Sequence, residues 1–560
     1  MINILIKTRI LIVLLIFSSL FCVTVVSAGS TAIVSANRLA TEAGETIIQQ
    51  GGNAFDAAVA VTAALAVVEP YASGLGGGGF WLLHHAPDKR DIMIDGRETA
   101  PGKSSEGMYL DEENKPIRGA SLNGPTAAGI PGTPAAMAHI AEHYGNLTLA
   151  KSLMPAIKLA RDGFQIDARF ASAIKNHQTK LRRYPTTARI FLQAEAAPAA
   201  GTILRQPQLA ETLAALAKDG FNGFYRGWVA QEMIQSVIQS GGIWKYKDLS
   251  QYRVVEREPV KFTYRDAYIT TVALPSAGGV SLAQALNILE SYSLSALNQA
   301  DKSHLIVEAL RYAYRDRINY LGDSDFADVP EQKLMSKSYA RKRADQITLD
   351  RASSSQLDNA EEIVVEGAET THFSIIDKDG NRVAATMSIN TFFGSGFVAG
   401  KTGVLLNNEM DDFSIGGNVP NVYGLYGGKA NSIAPGKRPL SSMSPTFVEN
   451  NKGILILGTP GGSRIISMVL LAIVDYVDNQ QTNPVKLVSN PRFHHQYLPD
   501  RIEIESNTFD KEWIARLVKK GHDVQSMERR WGNMQLIFFD KQSRQSYTAN
   551  DPRGVADTRY

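Results

Sequence analysis

Residues 370–390 read TTHFSIIDKDGNRVAATMSIN, and this stretch decides the fold of the 560-residue chain. On either side of the short segment 378–380, apolar side chains alternate with polar ones, as they do in half-buried β-strands. The positions on the apolar face are Thr371, Phe373 and Ile375 in the first run and Val383, Ala385, Met387 and Ile389 in the second. The pattern predicts a β-hairpin.

The register of this hairpin follows from the same alternation. Odd-numbered residues must lie opposite odd-numbered residues, and a three-residue loop 378–380 with Gly380 in the left-handed conformation meets that requirement. Counting outward places Thr370 opposite Ser388, on the face away from the apolar set, with Asn390 one step further on that face. Taken alone, such a hairpin is most often a solvated turn without chemistry.

The N-terminal residues have the composition of an export signal. Lys7 and Arg9 precede an apolar run over residues 10–26, and residues 26–28 include the small side chains that favour cleavage. We predict a signal peptide over residues 1–28. An uncleaved membrane anchor is the alternative, because the run is just long enough to span a bilayer.

Charge and cysteine content narrow the class of protein. Removing the two basic residues of segment 1–28 leaves 56 basic and 56 acidic residues. A neutral mature chain is not expected to bind nucleic acid or, once the signal is removed, a membrane surface. The single cysteine, Cys22, lies in the predicted signal, and an exported protein without cysteine folds without disulfides. This favours a bacterial periplasm, with secretion to the medium as the alternative.

Helical spacing surrounds the hairpin. Residues 38–50, 56–68, 305–320 and 465–477 are predicted helices, with Ser303 as the N-cap of the third. Short alternating strands and glycine-rich loops dominate after Thr370. Helices outside and strands inside predict an α+β architecture with helices layered over sheets.

Short segments spread over the whole chain resemble those of the γ-glutamyltranspeptidase family, whose members cut their own chain before the first threonine of a Thr-Thr-His triplet. They are 51–54 (GGNA), 75–80 (LGGGGF), 95–98 (DGRE), 370–372 (TTH), 405–413 (LLNNEMDDF), 439–446 (PLSSMSPT) and 460–464 (PGGSR). The resemblance implies the four-layer αββα N-terminal-nucleophile (Ntn) hydrolase fold. It also implies cleavage between Glu369 and Thr370, giving a large subunit 29–369 and a small catalytic subunit 370–560 that remain one intertwined heterodimer.

The chemistry of an N-terminal threonine explains that cleavage. The Thr370 hydroxyl attacks the carbonyl of Glu369, and hydrolysis of the resulting ester frees an α-amine. This amine has an ordinary pKa of about 7.7–8.0, which suits a general base for its own hydroxyl. The resemblance further implies that Thr371 supports the hydroxyl and that the backbone N–H groups of Gly461 and Gly462 form an oxyanion hole.

The same resemblance assigns residues to a γ-glutamyl donor. Arg97 would clamp the α-carboxylate with help from Ser441 and Ser442, since a guanidinium offers paired hydrogen bonds. Asp412 would bind the α-ammonium, and Tyr423 would belong to a lid over residues 421–430. The remaining predicted polar contacts are Ser388, Asn390 and Glu409; Ser388 stands where many relatives have Thr, and Glu409 where many have Gln.

The function implied is that of a γ-glutamyltransferase and glutathione hydrolase, which passes the acyl group to water, amino acids or peptides. The alternatives are a glutaryl- or cephalosporin-type acylase on the same fold, and a non-catalytic periplasmic binding protein. No cofactor is expected, because the glycine run 73–79 lacks the Lys-Ser/Thr of a P-loop. No metal is expected either, because the pairs His84-His85 and His494-His495 lack the spacing of a ligand set.

Overall fold

The computed structural model describes residues 30–356, 370–416, 419–528 and 530–554. The predicted signal peptide, Glu369 and the predicted end of the large subunit lie outside the described residues. No helix in the described ranges is both long enough and apolar enough to cross a membrane.

Seventeen strands occur in the described ranges. They are β1 (Ala32–Ser35), β2 (Gly78–His85), β3 (Arg90–Asp95), β4 (Phe164–Gln165), β5 (Ile203–Leu204), β6 (Val255–Arg257), β7 (Val260–Tyr264), β8 (Ala267–Thr271), β9 (Thr371–Ile376), β10 (Arg382–Ser388), β11 (Thr446–Glu449), β12 (Gly453–Gly458), β13 (Phe493–His494), β14 (Ile502–Glu505), β15 (Val524–Met527), β16 (Gln535–Asp540) and β17 (Ser546–Asn550).

Seventeen α-helices lie in the same part of the chain. They are α1 (Arg38–Gln49), α2 (Ala54–Val68), α3 (Thr133–His143), α4 (Leu149–Asp162), α5 (Ala168–Leu181), α6 (Pro185–Phe191), α7 (Pro207–Asp219), α8 (Phe221–Tyr225), α9 (Trp228–Gln239), α10 (Tyr246–Ser250), α11 (Ala277–Leu289), α12 (Gln299–Tyr320), α13 (Glu331–Leu334), α14 (Lys337–Ala344), α15 (Ile465–Val477), α16 (Pro484–Ser489) and α17 (Lys511–Lys519).

Two six-stranded antiparallel sheets form the centre of the molecule. The first has the order β1-β9-β10-β2-β3-β6 and the second the order β17-β16-β12-β11-β8-β7. In both sheets, strands that precede residue 370 pair directly with strands that follow it. The two halves of the chain are therefore interleaved at the level of backbone hydrogen bonds.

The layers follow from which face each side chain occupies. Phe373, Ile375 and Val383 pack with α1 and α2 in one core, while Leu455 and Leu457 of the second sheet pack with α11, α12 and α15 in another. A smaller apolar cluster lies between the sheets and includes Leu82, Ile376, Ala384, Phe447, Ile456 and Ile537. This is the predicted αββα sandwich.

The hairpin has the predicted register. Val383 pairs with Ile375 and Met387 with Thr371, and the Asp377 N–H donates to the Asn381 carbonyl at 3.0 Å. Gly380 has φ +89° in the three-residue loop. The alternation alone therefore predicted the pairing correctly.

The predicted helix 465–477 agrees with α15, whereas the predicted N-terminus of α12 is wrong. The helix predicted from residue 305 begins at Gln299, and its N-cap is Asn298, whose side chain accepts from the Asp301 N–H. Ser303, the predicted N-cap, lies inside the helix and is buried. Both Asn and Ser are favoured N-caps, so the sequence alone did not distinguish them.

Candidate active site

Thr370 stands directly before β9 and is only 6% exposed. Its Oγ1 lies 3.5 Å from the Ser388 Oγ, across the hairpin. The Ser388 Oγ accepts a hydrogen bond from the Asn390 N–H at 2.7 Å. The predicted grouping of Thr370, Ser388 and Asn390 is therefore present.

Thr371 lies on the other face of the strand. Its hydroxyl donates to Glu69 Oε2 at 2.9 Å, next to the end of α2, where burial raises the pKa of the Glu69 carboxyl. Successive side chains of a strand point to opposite faces, so Thr371 and Thr370 face different layers. In this structure Ser388, and not Thr371, lies beside the Thr370 hydroxyl, and the implied support by Thr371 stays a prediction.

A small cavity with a volume of about 20 Å³ lies beside Thr370. Its walls contain every substrate-binding residue expected from the sequence: Arg97, Ser388, Asn390, Glu409, Asp412, Ser441 and Ser442. Tyr423 and Gly462 also line it, and so does Arg317, which the sequence analysis did not single out. These residues are far apart in the chain and meet only because the two sheets converge at Thr370.

Arg97 follows β3 and is almost fully buried among carboxylates. Its Nη1 lies 2.9 Å from Glu409 Oε2 and 3.5 Å from Glu98 Oε2, and its Nη2 lies 2.6 Å from Asp412 Oδ2. Its Nε donates to the Pro439 carbonyl at 3.1 Å. We call Arg97, Glu98, Glu409 and Asp412 the Arg97 cluster.

The Arg97 cluster is incompletely satisfied. Both carboxylate oxygens of Glu98 and the Oε1 of Glu409 are buried without a hydrogen-bond partner among the described residues. Burial raises the pKa of Glu98 to about 7 and that of Glu409 well above its ordinary value, although Arg97 opposes both shifts. Burial alone would lower the pKa of Arg97, but the three carboxylates hold it above the usual range.

The segment around Tyr423 covers the cavity. The Tyr423 hydroxyl donates to the Asn390 backbone carbonyl at 2.9 Å and also contacts the Asn390 side chain. The Asn421 side chain donates to Asp412 Oδ1 at 3.0 Å, while the Gln496 side chain donates to the Tyr423 carbonyl. This segment is thereby hydrogen-bonded to two of the predicted substrate-binding residues.

Gly461 and Gly462 lie between β12 and α15, with φ values of +145° and +56°. Glycine is favoured where φ is positive, and a Cβ on Gly461 would also lie 2.4 Å from the Met468 side chain. No hydrogen bond is found from either N–H to another described residue. Both N–H groups are therefore unpaired among the described residues, and Gly462 lines the cavity.

Ser441 forms an isolated parallel β-bridge with Ser276, and Ser442 follows it. The Ser441 Oγ accepts from the Met443 N–H at 3.1 Å and is thereby fixed. The Ser442 Oγ is buried and has no hydrogen-bond partner among the described residues. Ser442 thus offers the cavity a hydroxyl that is not already engaged.

The structure also brings together one group of imidazole and carboxylate side chains away from the cavity. His304, Glu308 and His522 are the one set of at least three close potential metal ligands found in the described residues. The two imidazoles hydrogen-bond each other at 2.8 Å, and His304 also contacts the Thr348 carbonyl. The sequence contains a pattern that could have predicted part of this group, because His304 and Glu308 are four residues apart on α12 and so lie on the same face of the helix.

Comparisons with known proteins agree with this arrangement. A model of the family described as gamma-glutamyltranspeptidase matches residues 40–559. The glutathione hydrolase proenzyme of Escherichia coli (strain K12) is 42% identical over 530 residues, which cover 94% of this chain and 90% of that protein.

Solved structures share the architecture. A cephalosporin acylase from Bacillus halodurans superposes with a TM-score of 0.83 at 26% identity, covering 95% of this chain and 97% of that chain. The γ-glutamyltranspeptidase of Helicobacter pylori is 39% identical with a TM-score of 0.56, covering 57% of this chain and 91% of that chain. The fold is that of the Ntn hydrolases, and the chain belongs to the γ-glutamyltranspeptidase family.

Proposed function

We propose that this chain is a γ-glutamyltransferase and glutathione hydrolase that matures by cleaving itself before Thr370. The observation that carries the proposal is the position of the Thr370 hydroxyl. Thr370 stands directly before β9 and lines a small cavity, together with arginine, carboxyl and serine side chains suited to an amino-acid head group. The relatives named above supply the reaction class.

Maturation begins within the single chain. The Thr370 Oγ attacks the carbonyl carbon of Glu369, and the C–N bond of that peptide breaks as an ester forms. Water then hydrolyses the ester, leaving a carboxylate on Glu369 and a free amine on Thr370. The products are the large subunit 29–369 and the small subunit 370–560, held together by the interleaved strands of both sheets.

Turnover uses the same hydroxyl. The new α-amine accepts the Oγ proton as the oxygen attacks the γ-carbonyl of the donor. The N–H groups of Gly461 and Gly462 stabilise the tetrahedral oxyanion, and one such donor is typically worth about 3–4 kcal/mol. The leaving amine takes the proton back, and water or an acceptor amine then cleaves the γ-glutamyl ester.

Recognition of the donor follows from the charges of the cavity. Asp412 and Glu409 present carboxyl groups to an α-ammonium, and Asn390 adds a polar contact. Ser441 and Ser442 offer hydroxyls to the α-carboxylate near Arg97.

The test is a denaturing gel of the purified protein followed by N-terminal sequencing of the smaller fragment. We expect two fragments, the smaller beginning Thr370-Thr371-His372. Thr370→Ala should remain one chain and hydrolyse no γ-glutamyl anilide, while Thr370→Ser, which keeps a hydroxyl, should still be cleaved. A cleaved and active Thr370→Ala protein would overturn the proposal.

An acylase acting on glutaryl or cephalosporin side chains is a second candidate, favoured by the TM-score of 0.83 to the cephalosporin acylase. A glutaryl substrate has a carboxylate but no ammonium, so it would leave Asp412 without a counter-charge. Comparing hydrolysis of γ-glutamyl and glutaryl anilides separates the two. Faster turnover of the glutaryl compound would favour the acylase.

We also propose that segment 1–28 is an export signal and that the mature enzyme is periplasmic. The charged residues and apolar run of segment 1–28 support this, and their structure lies outside the described residues. Cell fractionation, with N-terminal sequencing of the large subunit, tests it. We expect the protein in the periplasmic fraction with its N-terminus at Gly29.

A further inference from the structure

The side chains of His304, Glu308 and His522 converge in the interior, away from the cavity of the candidate active site. His304 and Glu308 lie one turn apart on α12, and His522 lies between α17 and β15. The Trp513 Nε1 donates to the Ser303 Oγ at 3.2 Å, which joins α17 to α12 beside this group. His304 and Glu308 are fully buried, and His522 is 5% exposed.

The hydrogen bonds of His304 determine which of its ring nitrogens carries a lone pair. Its Nε2 lies 2.8 Å from the Thr348 carbonyl oxygen, and a carbonyl only accepts, so Nε2 carries the proton. In the neutral ring, Nδ1 therefore presents its lone pair to the His522 Nε2, which is 2.8 Å away. A histidine that binds a metal through one nitrogen almost always donates its other N–H to a carbonyl, a carboxylate or water, and His304 is already held in that way.

Glu308 has one carboxylate oxygen that is fixed and one that is not. Its Oε1 accepts from the Ser353 N–H at 3.2 Å and from the Arg311 Nε at 3.3 Å. Its Oε2 is buried and has no hydrogen-bond partner among the described residues. Burying such an oxygen without a partner is costly, so a ligand that binds it stabilises the fold.

Two basic side chains close to this group have acidic partners of their own. Arg311 pairs with Asp500, and the Lys520 Nζ lies 2.8 Å from Asp301 Oδ1. The repulsion that these cations exert on a bound metal ion is therefore reduced, and two imidazoles and one carboxylate remain to bind it.

We propose that His304, Glu308 and His522 bind one divalent transition-metal ion, for which Zn²⁺ is the best candidate. Two imidazole nitrogens and one carboxylate oxygen are an established zinc ligand set, which leaves a fourth position for water. One ligand atom of each residue lies within 4.8 Å of the others. Tetrahedral bonds to zinc place two ligand nitrogens about 3.3 Å apart, so the two rings separate by about 0.5 Å as their hydrogen bond is replaced.

The ion is a structural link between two parts of the chain, because its buried ligands give a substrate no access. His304 and Glu308 precede residue 370 and His522 follows it. In the mature protein the ion therefore joins the large subunit to the small one. This last consequence rests on the proposed cleavage, whereas metal binding itself does not.

The first experiment is a metal titration of the full chain after treatment with EDTA and dialysis. We expect one Zn²⁺ per chain by elemental analysis after gel filtration and, with Co²⁺ as the probe, the visible absorption of a tetrahedral site. Saturating ZnCl₂ should raise the thermal midpoint by about 2–4 °C. The uncleaved Thr370→Ala chain should bind Zn²⁺ equally well.

The second experiment removes one ligand at a time. Glu308→Gln and His522→Gln should each lower the affinity for Zn²⁺ by at least about 10- to 100-fold, the loss that even outer partners of a metal site cause. The matched control is His494→Gln, because His494 is equally buried but contacts the Ser467 hydroxyl and the Gln496 side chain instead. This variant should keep the affinity of the wild type.

Each outcome decides the inference. Equal zinc affinity in the wild type and in both ligand variants would show an adventitious ion only and overturn it, as would no rise in the wild-type midpoint. If the variants fail to fold, the Co²⁺ spectrum of the wild type decides, and absence of the tetrahedral bands overturns the site. EDTA should also lower the urea concentration at which the mature subunits separate, and no change there would overturn the link. A chain that binds one Zn²⁺ but never cleaves itself would leave the metal site intact and refute the proposed function.

Discussion

Two buried arginine clusters in this protein are built differently. The C-terminal cluster consists of Arg492, Arg553, Glu505 and Asp551, in which two guanidinium groups meet two carboxylates. Arg553 contacts Glu505 at 2.5 Å and Asp551 at 3.0 Å, and Arg492 contacts Asp551 at 2.5 Å. The Arg97 cluster has one guanidinium for three carboxylates.

The two clusters shift the pKa values of their carboxyl groups in opposite directions. Burial alone would raise the pKa of Asp551, but Arg492 and Arg553 hold it below its ordinary value. In the Arg97 cluster, burial raises the pKa of Glu98 and Glu409 and the one arginine does not reverse it. The balanced cluster keeps its carboxylate charged, whereas the unbalanced one leaves buried carboxyl groups incompletely compensated.

The largest expected effect is on the stability of the balanced cluster. Arg553→Met leaves Glu505 buried without its main cation, and we expect the free energy of unfolding to fall by about 3–5 kcal/mol. Urea denaturation in the Thr370→Ala background measures this on a single chain. Arg516→Met is the control, because its pair with Glu512 is exposed and should be worth at most about 1 kcal/mol. Equal losses in the two variants would contradict the distinction.

The next effect is on donor binding by the unbalanced cluster. Asp412→Asn removes the negative charge that we propose binds the α-ammonium, and we expect kcat/KM for a γ-glutamyl anilide to fall by about 10- to 100-fold. Steady-state kinetics measure it, with a glutaryl anilide as the comparison. Because that donor has no ammonium, its kcat/KM should fall far less, and an equal loss on both donors would argue against the assignment.

A third effect depends on pH. The pKa of Glu98 is raised from about 4.5 to about 7 in the folded protein, so the native state holds this proton more tightly than the unfolded state. The stability that this bound proton contributes to the folded state is fully present below about pH 4.5 and is lost as the pH rises to about 7. Glu98→Gln keeps the shape without the charge, so its stability relative to wild type should increase over that interval.

Thermal midpoints of both proteins between pH 4 and pH 8 check this expectation. Converted to free energy of unfolding, the difference in stability between Glu98→Gln and wild type should grow over this pH range by an amount on the order of 1–3 kcal/mol. A constant difference across the range would show that Glu98 ionises in the folded protein as it does in the unfolded chain.

The parts of this molecule that followed from the sequence are those governed by local periodicity. The hairpin register was right because side chains of a strand alternate strictly, and a shift by one residue would move Phe373 to the wrong layer. The helix 465–477 was right because its apolar positions run to both of its ends. The αββα layering and the members of the cavity came from the family resemblance.

The parts that did not follow depend on tertiary partners. The contact of Thr371 with Glu69 joins positions about 300 residues apart, and the start of α12 was hidden because Asn298 and Ser303 are both acceptable caps. Arg317 was missed for a related reason. It lines the cavity without a side-chain hydrogen bond to another described residue, and no sequence pattern reports the absence of a contact.

The smallest expected effect concerns Ser388, which differs from the threonine of many relatives. Its Oγ accepts the Asn390 N–H at 2.7 Å and lies 3.5 Å from the Thr370 Oγ1. Ser388→Thr keeps that oxygen and restricts the side chain to fewer rotamers. The activation free energy of turnover should therefore change by less than about 1 kcal/mol. Ser388→Ala leaves the Asn390 N–H unpaired, which costs about 1–3 kcal/mol, and should slow both cleavage and turnover. Rates of maturation and of γ-glutamyl anilide hydrolysis measure both variants. If alanine were tolerated as well as threonine, the hydroxyl beside Thr370 would have no part in either step, and the Thr370 amine would orient its own nucleophile unaided.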